Sequence, residues 1–237
     1  MKKLDFSADL FREIVDGPPN PPPEDCLAFD ATGFAPSAWP SSLKPIGAGT
    51  VQCESFATWW ERHKTTLAHL HPMIAEQWIY KHWIWSPYRN VPLDHLVWQQ
   101  ELWRTRRILD EVFVRPQFGK LKPAFDYDVF HGKFFEPGRT MDRTGTWNYP
   151  IVVLLTPNGV KTTRRLFAQV RYCLIEGHQR VRYLNALSSR GKCAAQHCVF
   201  LLSAEERWLG YPAGSFYAPV AGVANRQVGT VANNARI

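Results

Sequence analysis

Apolar residues fall along this chain in three rhythms, and each rhythm predicts a different kind of element. Over residues 4–15 they recur at helical spacing, with Phe6, Leu10, Phe11 and Ile14 on one side, which predicts a short amphipathic helix. The same spacing predicts helices over residues 55–69 and 73–85, parted at Pro72, whose ring suits a first helical turn. Brief uninterrupted apolar runs are too short for a helix core. They predict buried strands at Tyr149-Pro150-Ile151-Val152-Val153, at Cys173-Leu174-Ile175 and at Cys198-Val199-Phe200-Leu201-Leu202. Strict alternation over Phe125-Asp126-Tyr127-Asp128-Val129-Phe130-His131 predicts a further strand with Asp126 and Asp128 on one face. The prolines between Pro18 and Pro23 force an extended segment. Residues 24–50 stay rich in Pro, Gly, Ala and Ser, but Phe29, Phe34 and Trp39 are apolar anchors, so this stretch is expected to wrap over another surface. After Trp208-Leu209-Gly210 the residues become small and polar, which predicts an extended tail.

The strand at Cys173-Leu174-Ile175 leads through Gly177 into Val181, Leu184 and Leu187, which recur at helical spacing. A strand that turns through glycine into a helix presents orphan backbone N–H groups and the positive end of the helix dipole, a place where an anion is stabilised. The backbone of Gly177 and Gln179 and the side chains of Arg180 and Arg182 are therefore candidate phosphate ligands, Arg180 offering a planar fork of donors. Charge supports this. Lys and Arg number 28 against 21 Asp and Glu, a net +7. Residues 161–192 hold Lys161, Arg164, Arg165, Arg171, Arg180, Arg182, Arg190 and Lys192 against the single acid Glu176, so the whole excess flanks the turn. Such concentration points to a nucleotide or nucleic-acid partner, with Arg164, Arg165, Arg171, Arg190 and Lys192 as candidate contacts to nucleic-acid phosphates.

The run from Leu174 to Leu184 resembles the phosphate-binding box of the ParB/sulfiredoxin superfamily, in which a strand ends in Gly-x-x-Arg and opens a helix. Tyr149-Pro150-Ile151-Val152-Val153 resembles the strand that precedes the box. Asn90-Val91-Pro92-Leu93-Asp94-His95-Leu96 is similar to the family's first strand, with a helix over residues 103–112 after it. The resemblance spans about 90–205 and implies an α+β fold: a small mixed sheet with flanking helices, interrupted by an insertion at about 114–148. Residues 1–89 then form a Trp-rich helical layer docked on that sheet, and 206–237 a tail. His178 stands where sulfiredoxins carry a reactive cysteine, which argues against a sulfinic acid reductase. Gln179 replaces an arginine usual in chromosome-partitioning ParB proteins, and the chain after Ser203 leaves no room for their helix-turn-helix domain.

What the resemblance implies is binding of a nucleotide phosphate, with hydrolysis or transfer of the terminal phosphate, Mg²⁺ arriving with ATP or CTP. Glu176 and His178 are the candidate catalytic residues, orienting water or accepting its proton. Asp126 and Asp128 are a second place for Mg²⁺, set against the plainer reading of solvated acids, and no metal ligand is assigned. Two alternatives stand: a metal-dependent DNA nuclease built on Glu176 and His178, and a non-catalytic module that binds DNA or a protein. The N-terminal layer is a candidate protein-binding surface. A standalone domain of this kind is expected among plasmid or phage accessory genes.

Composition narrows the setting. A hydrophobic content of 45% allows a sizeable core. No apolar run is long enough to cross a bilayer, and the first residues lack the apolar centre of a signal peptide, so a cytoplasmic protein without membrane contact is expected. Cys26, Cys53, Cys173, Cys193 and Cys198 show no framework spacing, and Cys193, His197 and Cys198 lack a fourth ligand, so no zinc is expected. Most of the ten Trp precede residue 104. Trp59, Trp60, Trp78, Trp83 and Trp85 read as core, although Lys64, Lys81, His82 and Arg89 among them keep base stacking open. Oligomeric state is not legible.

Overall fold

A computed structural model describes residues 27–28, 39–84, 86–89, 91–114, 121–132, 136–156, 160–162, 167–168 and 170–204. The expected helix over 4–15, the proline segment, Phe29, Phe34, Cys26, Trp85, Arg164, Arg165 and the tail lie outside them. The chain is mixed α+β, with six α-helices and a five-stranded sheet among the described residues.

In chain order the strands are β1 (Leu27–Ala28), β2 (Leu96–Arg104), β3 (Val112–Phe113), β4 (Ile151–Leu155), β5 (Val160–Thr162), β6 (Phe167–Ala168), β7 (Tyr172–Glu176) and β8 (Gln196–Ala204). The helices are α1 (Phe56–His63), α2 (Pro72–Ile74), α3 (Thr105–Glu111), α4 (Pro123–Phe130), α5 (Glu136–Thr144) and α6 (His178–Ser188). The main sheet has the order β2-β8-β4-β7-β3. Its β2/β8 and β4/β7 pairs are antiparallel, and β8/β4 and β7/β3 are parallel. The pieces β1, β5 and β6 form a small antiparallel sheet of their own.

The apolar runs at β4 and β7 are continuous because both sheet faces are covered, as strands buried on two sides require. Alternate residues serve alternate layers. Val152, Leu154, Cys173, Ile175, Phe200 and Leu202 pack against the N-terminal layer, whose bulk comes from Trp39, Trp59, Trp78 and Trp83. Ile151, Val153, Leu174, Val199 and Leu201 pack against Val181, Leu184 and Leu187 of α6, together with Ile108, Phe130 and Met141. Each of three buried indoles finds a hydrogen-bond acceptor: Trp39 donates to Val91 O (3.1 Å), Trp59 to Leu43 O (2.8 Å) and Trp78 to Ser86 Oγ (3.2 Å). With Trp59 and Trp78 fully buried and Trp83 8% exposed, none of these last three has a face for a nucleic-acid base. Tyr88 ties this layer to the sheet by donating to Leu174 O at 2.7 Å.

Three expectations are corrected. The strand sought at residues 90–96 runs instead over Leu96–Arg104, because Pro92 has no N–H to give a ladder and Leu96 closes a turn onto Leu93 O (3.3 Å). The alternating run in the insertion is helix α4, not a strand. Pro123 opens it and Asp126 accepts the Lys122 N–H at 3.0 Å, a helix start that outweighs the period-two pattern. Asp126 and Asp128 therefore diverge by about 200° round a helix and share no face. The second N-terminal helix is also irregular. After α2 the chain makes one π-helical stretch, Ala75–Tyr80, in which Lys81 N donates to Glu76 O, five residues back (3.1 Å).

On the α6 side, His197 is 1% exposed and sits between two hydroxyls, with Nδ1 at 2.8 Å from Thr146 Oγ1 and Nε2 at 2.8 Å from Thr105 Oγ1. Burial pushes its pKa down to about 4 from the ordinary 6.5. The unfolded chain thus takes up a proton near pH 6.5 that the folded chain refuses until about pH 4. The contribution of His197 to stability should be level above pH 6.5, fall between pH 6.5 and 4, and level off below, with a loss of about 3 kcal/mol at ~1.4 kcal/mol per pH unit. Urea denaturation across that range on the wild type and His197→Gln checks this: the variant should lose the steepest part of the pH dependence.

Candidate functional site at the Gly177 turn

Strand β7 ends at Glu176, and α6 begins after a single intervening residue. Gly177 makes the junction with φ +105° and ψ 23°, backbone that favours glycine. No side chain caps α6, and Val181 N is the first to bond back, to Gly177 O at 3.0 Å. The expected strand, turn and helix are therefore in place, and the side chains round them differ from expectation.

Arg180 does not face outward. It is 6% exposed and folds back under the turn, donating from one guanidinium nitrogen to Tyr149 O and Pro150 O (3.1 Å) and from the other to Gln77 Oε1 (2.7 Å). Burial lowers its pKa, opposed by the Glu176 carboxylate and Tyr149. Its fork of donors joins three parts of the fold and is spent internally. Gln77 completes the link by donating to Pro150 O at 3.1 Å. Arg182 is committed as well. Its Nε lies 3.0 Å from Asp126 Oδ1, and Asp126 is fully buried, so this pair pins the insertion to α6.

Glu176 curls into the turn. Its Oε1 accepts the Gly177 N–H at 2.9 Å and lies 3.9 Å from Arg180, while Oε2 faces His82 Nε2 at 3.3 Å. His178 and Gln179, the first two residues of α6, are half-buried. The residues that sequence reasoning missed come from the π-helical stretch and the turn directly after it. Glu76 accepts from the Tyr149 hydroxyl and pairs with Lys81 Nζ at 3.4 Å, and Lys81 also lies 5.7 Å from the Tyr149 ring centroid. Burial first, then the bond to Glu76, pushes the Tyr149 hydroxyl well above its ordinary pKa. A π insertion rotates everything after it by one residue, about 100°. No sequence period announces that shift, though such stretches recur at functional sites.

The other basic candidates do not converge here. Arg171 precedes β7, a five-residue strand that spans about 17 Å, and Arg190 and Lys192 come after α6, whose eleven residues span about 16 Å. Among the described residues no group of three or more His, Cys, Asp or Glu is arranged to hold a metal, and no helix is long and apolar enough to cross a membrane. No family model, curated protein or solved structure matches this chain.

Proposed function

We propose that the chain is a ParB/sulfiredoxin-like protein that binds a nucleotide phosphate with Mg²⁺ at the Gly177 turn and hydrolyses or transfers it. The observation that carries this reading is the meeting, at an uncapped helix start, of the Glu176 carboxylate and the His82 imidazole 3.3 Å apart. Orphan N–H groups and the dipole of α6 favour an anion. Glu176 already places a negative charge there, so a bare phosphate is repelled and a phosphate carrying a divalent cation is attracted. Mg²⁺ takes one or two carboxylates and completes its shell with phosphate and water, and Glu176 is a ligand of that kind. The cation would supply charge neutralisation at the transferred group. Lys81 and His82, both partly exposed, are placed for the outer phosphates or for a proton from the attacking water.

The structure changes which variant tests the site. Arg180→Ala would disturb the fold, whereas Glu176→Gln keeps an acceptor for the Gly177 N–H and removes the charge. With ATP or CTP and Mg²⁺ at a hundred times its dissociation constant, the wild type should gain about 2.7 kcal/mol. That corresponds to roughly 5–10 °C in melting temperature at this length. Glu176→Gln and His82→Ala should lose the Mg²⁺-dependent part, and phosphate release should fall with it. No shift with any nucleotide, or an equal shift in Glu176→Gln, would overturn the reading.

A further inference from the structure

At the far end of α6, Tyr127 of α4 gathers three basic side chains. The His131 ring stacks on it with centroids 4.4 Å apart and planes at 19°. The Arg190 guanidinium carbon lies 3.7 Å from the same centroid, and two groups this close to one ring occupy its opposite faces. Lys192 Nζ reaches the hydroxyl edge, 3.4 Å from the Tyr127 oxygen. Arg190 and Lys192 are exposed, and among the described residues neither pairs with a carboxylate. The hydrogen bond the Arg190 guanidinium makes there is long, to Ala186 O at 3.4 Å.

Two of the acids nearby are spent. Asp142 accepts from the Tyr183 hydroxyl, from His131 Nδ1 (2.8 Å) and from the Gly132 N–H (3.2 Å). Burial works to raise its carboxyl, but these donors outweigh it and hold the group below the usual carboxylate range. Asp126 is buried against Arg182. Asp128 leaves α4 about 100° round the helix from Tyr127. The Asp142 bond fixes the His131 ring by Nδ1, so that Nε2 is the nitrogen left for a ligand.

We propose that His131, Arg190 and Lys192 form a second site, which holds the phosphodiester backbone of a nucleic acid. Three basic groups within 6 Å of one ring concentrate positive charge to face the phosphates of a strand, which carries one charge per ~3.4 Å of duplex axis. Because both faces of Tyr127 are covered, no base stacks on it, and binding is indifferent to sequence. The site is independent of the Gly177 turn.

The test is fluorescence anisotropy of a labelled 20-base-pair DNA duplex titrated with the full chain at several salt concentrations. Arg190→Ala with Lys192→Ala should weaken binding about tenfold or more at 100 mM salt, and flatten the slope of log K against log salt by about 1.8, two phosphates' worth. His131→Ala should give a smaller loss. An unchanged melting temperature shows that each variant is folded, and duplexes of different sequence should bind alike. No binding by the wild type overturns the site. So does an unchanged slope in the double variant while Arg164→Ala with Arg165→Ala removes it, since the phosphates would then be held elsewhere.

Discussion

Arg180→Ala should lower stability by about 3–5 kcal/mol, because each buried acceptor left without a donor costs ~1–3 kcal/mol and the truncation opens a cavity. The acceptors left without a donor are Tyr149 O and Gln77 Oε1, since Pro150 O keeps its bond from Gln77, and Arg180 is 6% exposed, so water reaches them poorly. At this chain length the loss corresponds to roughly 6–20 °C in melting temperature. Arg180→Lys should fall between, since one ammonium cannot span carbonyls on one side and an amide on the other. The result separates two roles for the motif's arginine. A structural tie gives large destabilisation in urea denaturation, and nucleotide loss only in proportion to unfolding. A ligand contact gives a stable variant, changed by less than about 1 kcal/mol, that no longer binds. The second outcome would show that the guanidinium turns outward, against its bonds to Tyr149, Pro150 and Gln77.

That test bears on how far the sequence could be read. The elements whose signal is local were legible: apolar runs gave β4, β7 and β8, and the glycine before Val181, Leu184 and Leu187 gave the strand-to-helix junction. The direction of Arg180 was not, because it is set by a glutamine 103 residues earlier. A Gly-x-x-Arg pattern says which turn the arginine sits on and nothing about what waits on either side. Strand β2 was displaced for a similar reason. Gln99-Gln100-Glu101 has weak strand preference, and the strand forms there because β8 supplies a partner for every residue from Leu96 to Arg104. In α4 two periods competed within one short run, and a proline and a carboxylate at its start decided for helix. Glu76 carries no signal in the sequence, and Lys81 and His82 stood out there only as basic residues among the tryptophans. Only the π-helical stretch, which obeys no sequence rule, carries them to the turn.

The junction glycine gives the sharpest contrast between local strain and packing. A Cβ on Gly177 would lie 2.5 Å from Ile151 Cγ2 and 3.0 Å from Ile151 Cβ, in addition to adopting φ +105°. The left-handed backbone costs an L-residue about 1–2 kcal/mol, and overpacking a core contact adds about 1–3 kcal/mol. Ile151 cannot move aside cheaply. It is fully buried at the start of β4, paired with Val199, and comes directly after Pro150, whose carbonyl Arg180 and Gln77 both hold. Gly177→Ala should therefore lose about 2–5 kcal/mol by denaturant unfolding. Gly177→Asn tells the two terms apart, because asparagine tolerates this backbone but carries the same Cβ. If strain dominated, asparagine would recover most of the loss. With the contact dominant it recovers little, and the prediction is that it does not. An alanine variant within about 0.5 kcal/mol of wild type would mean that Ile151 and the turn are not in this contact. If that stable variant also failed to bind nucleotide, the glycine would be required by close approach of a ligand to the backbone and not by the isoleucine beneath it.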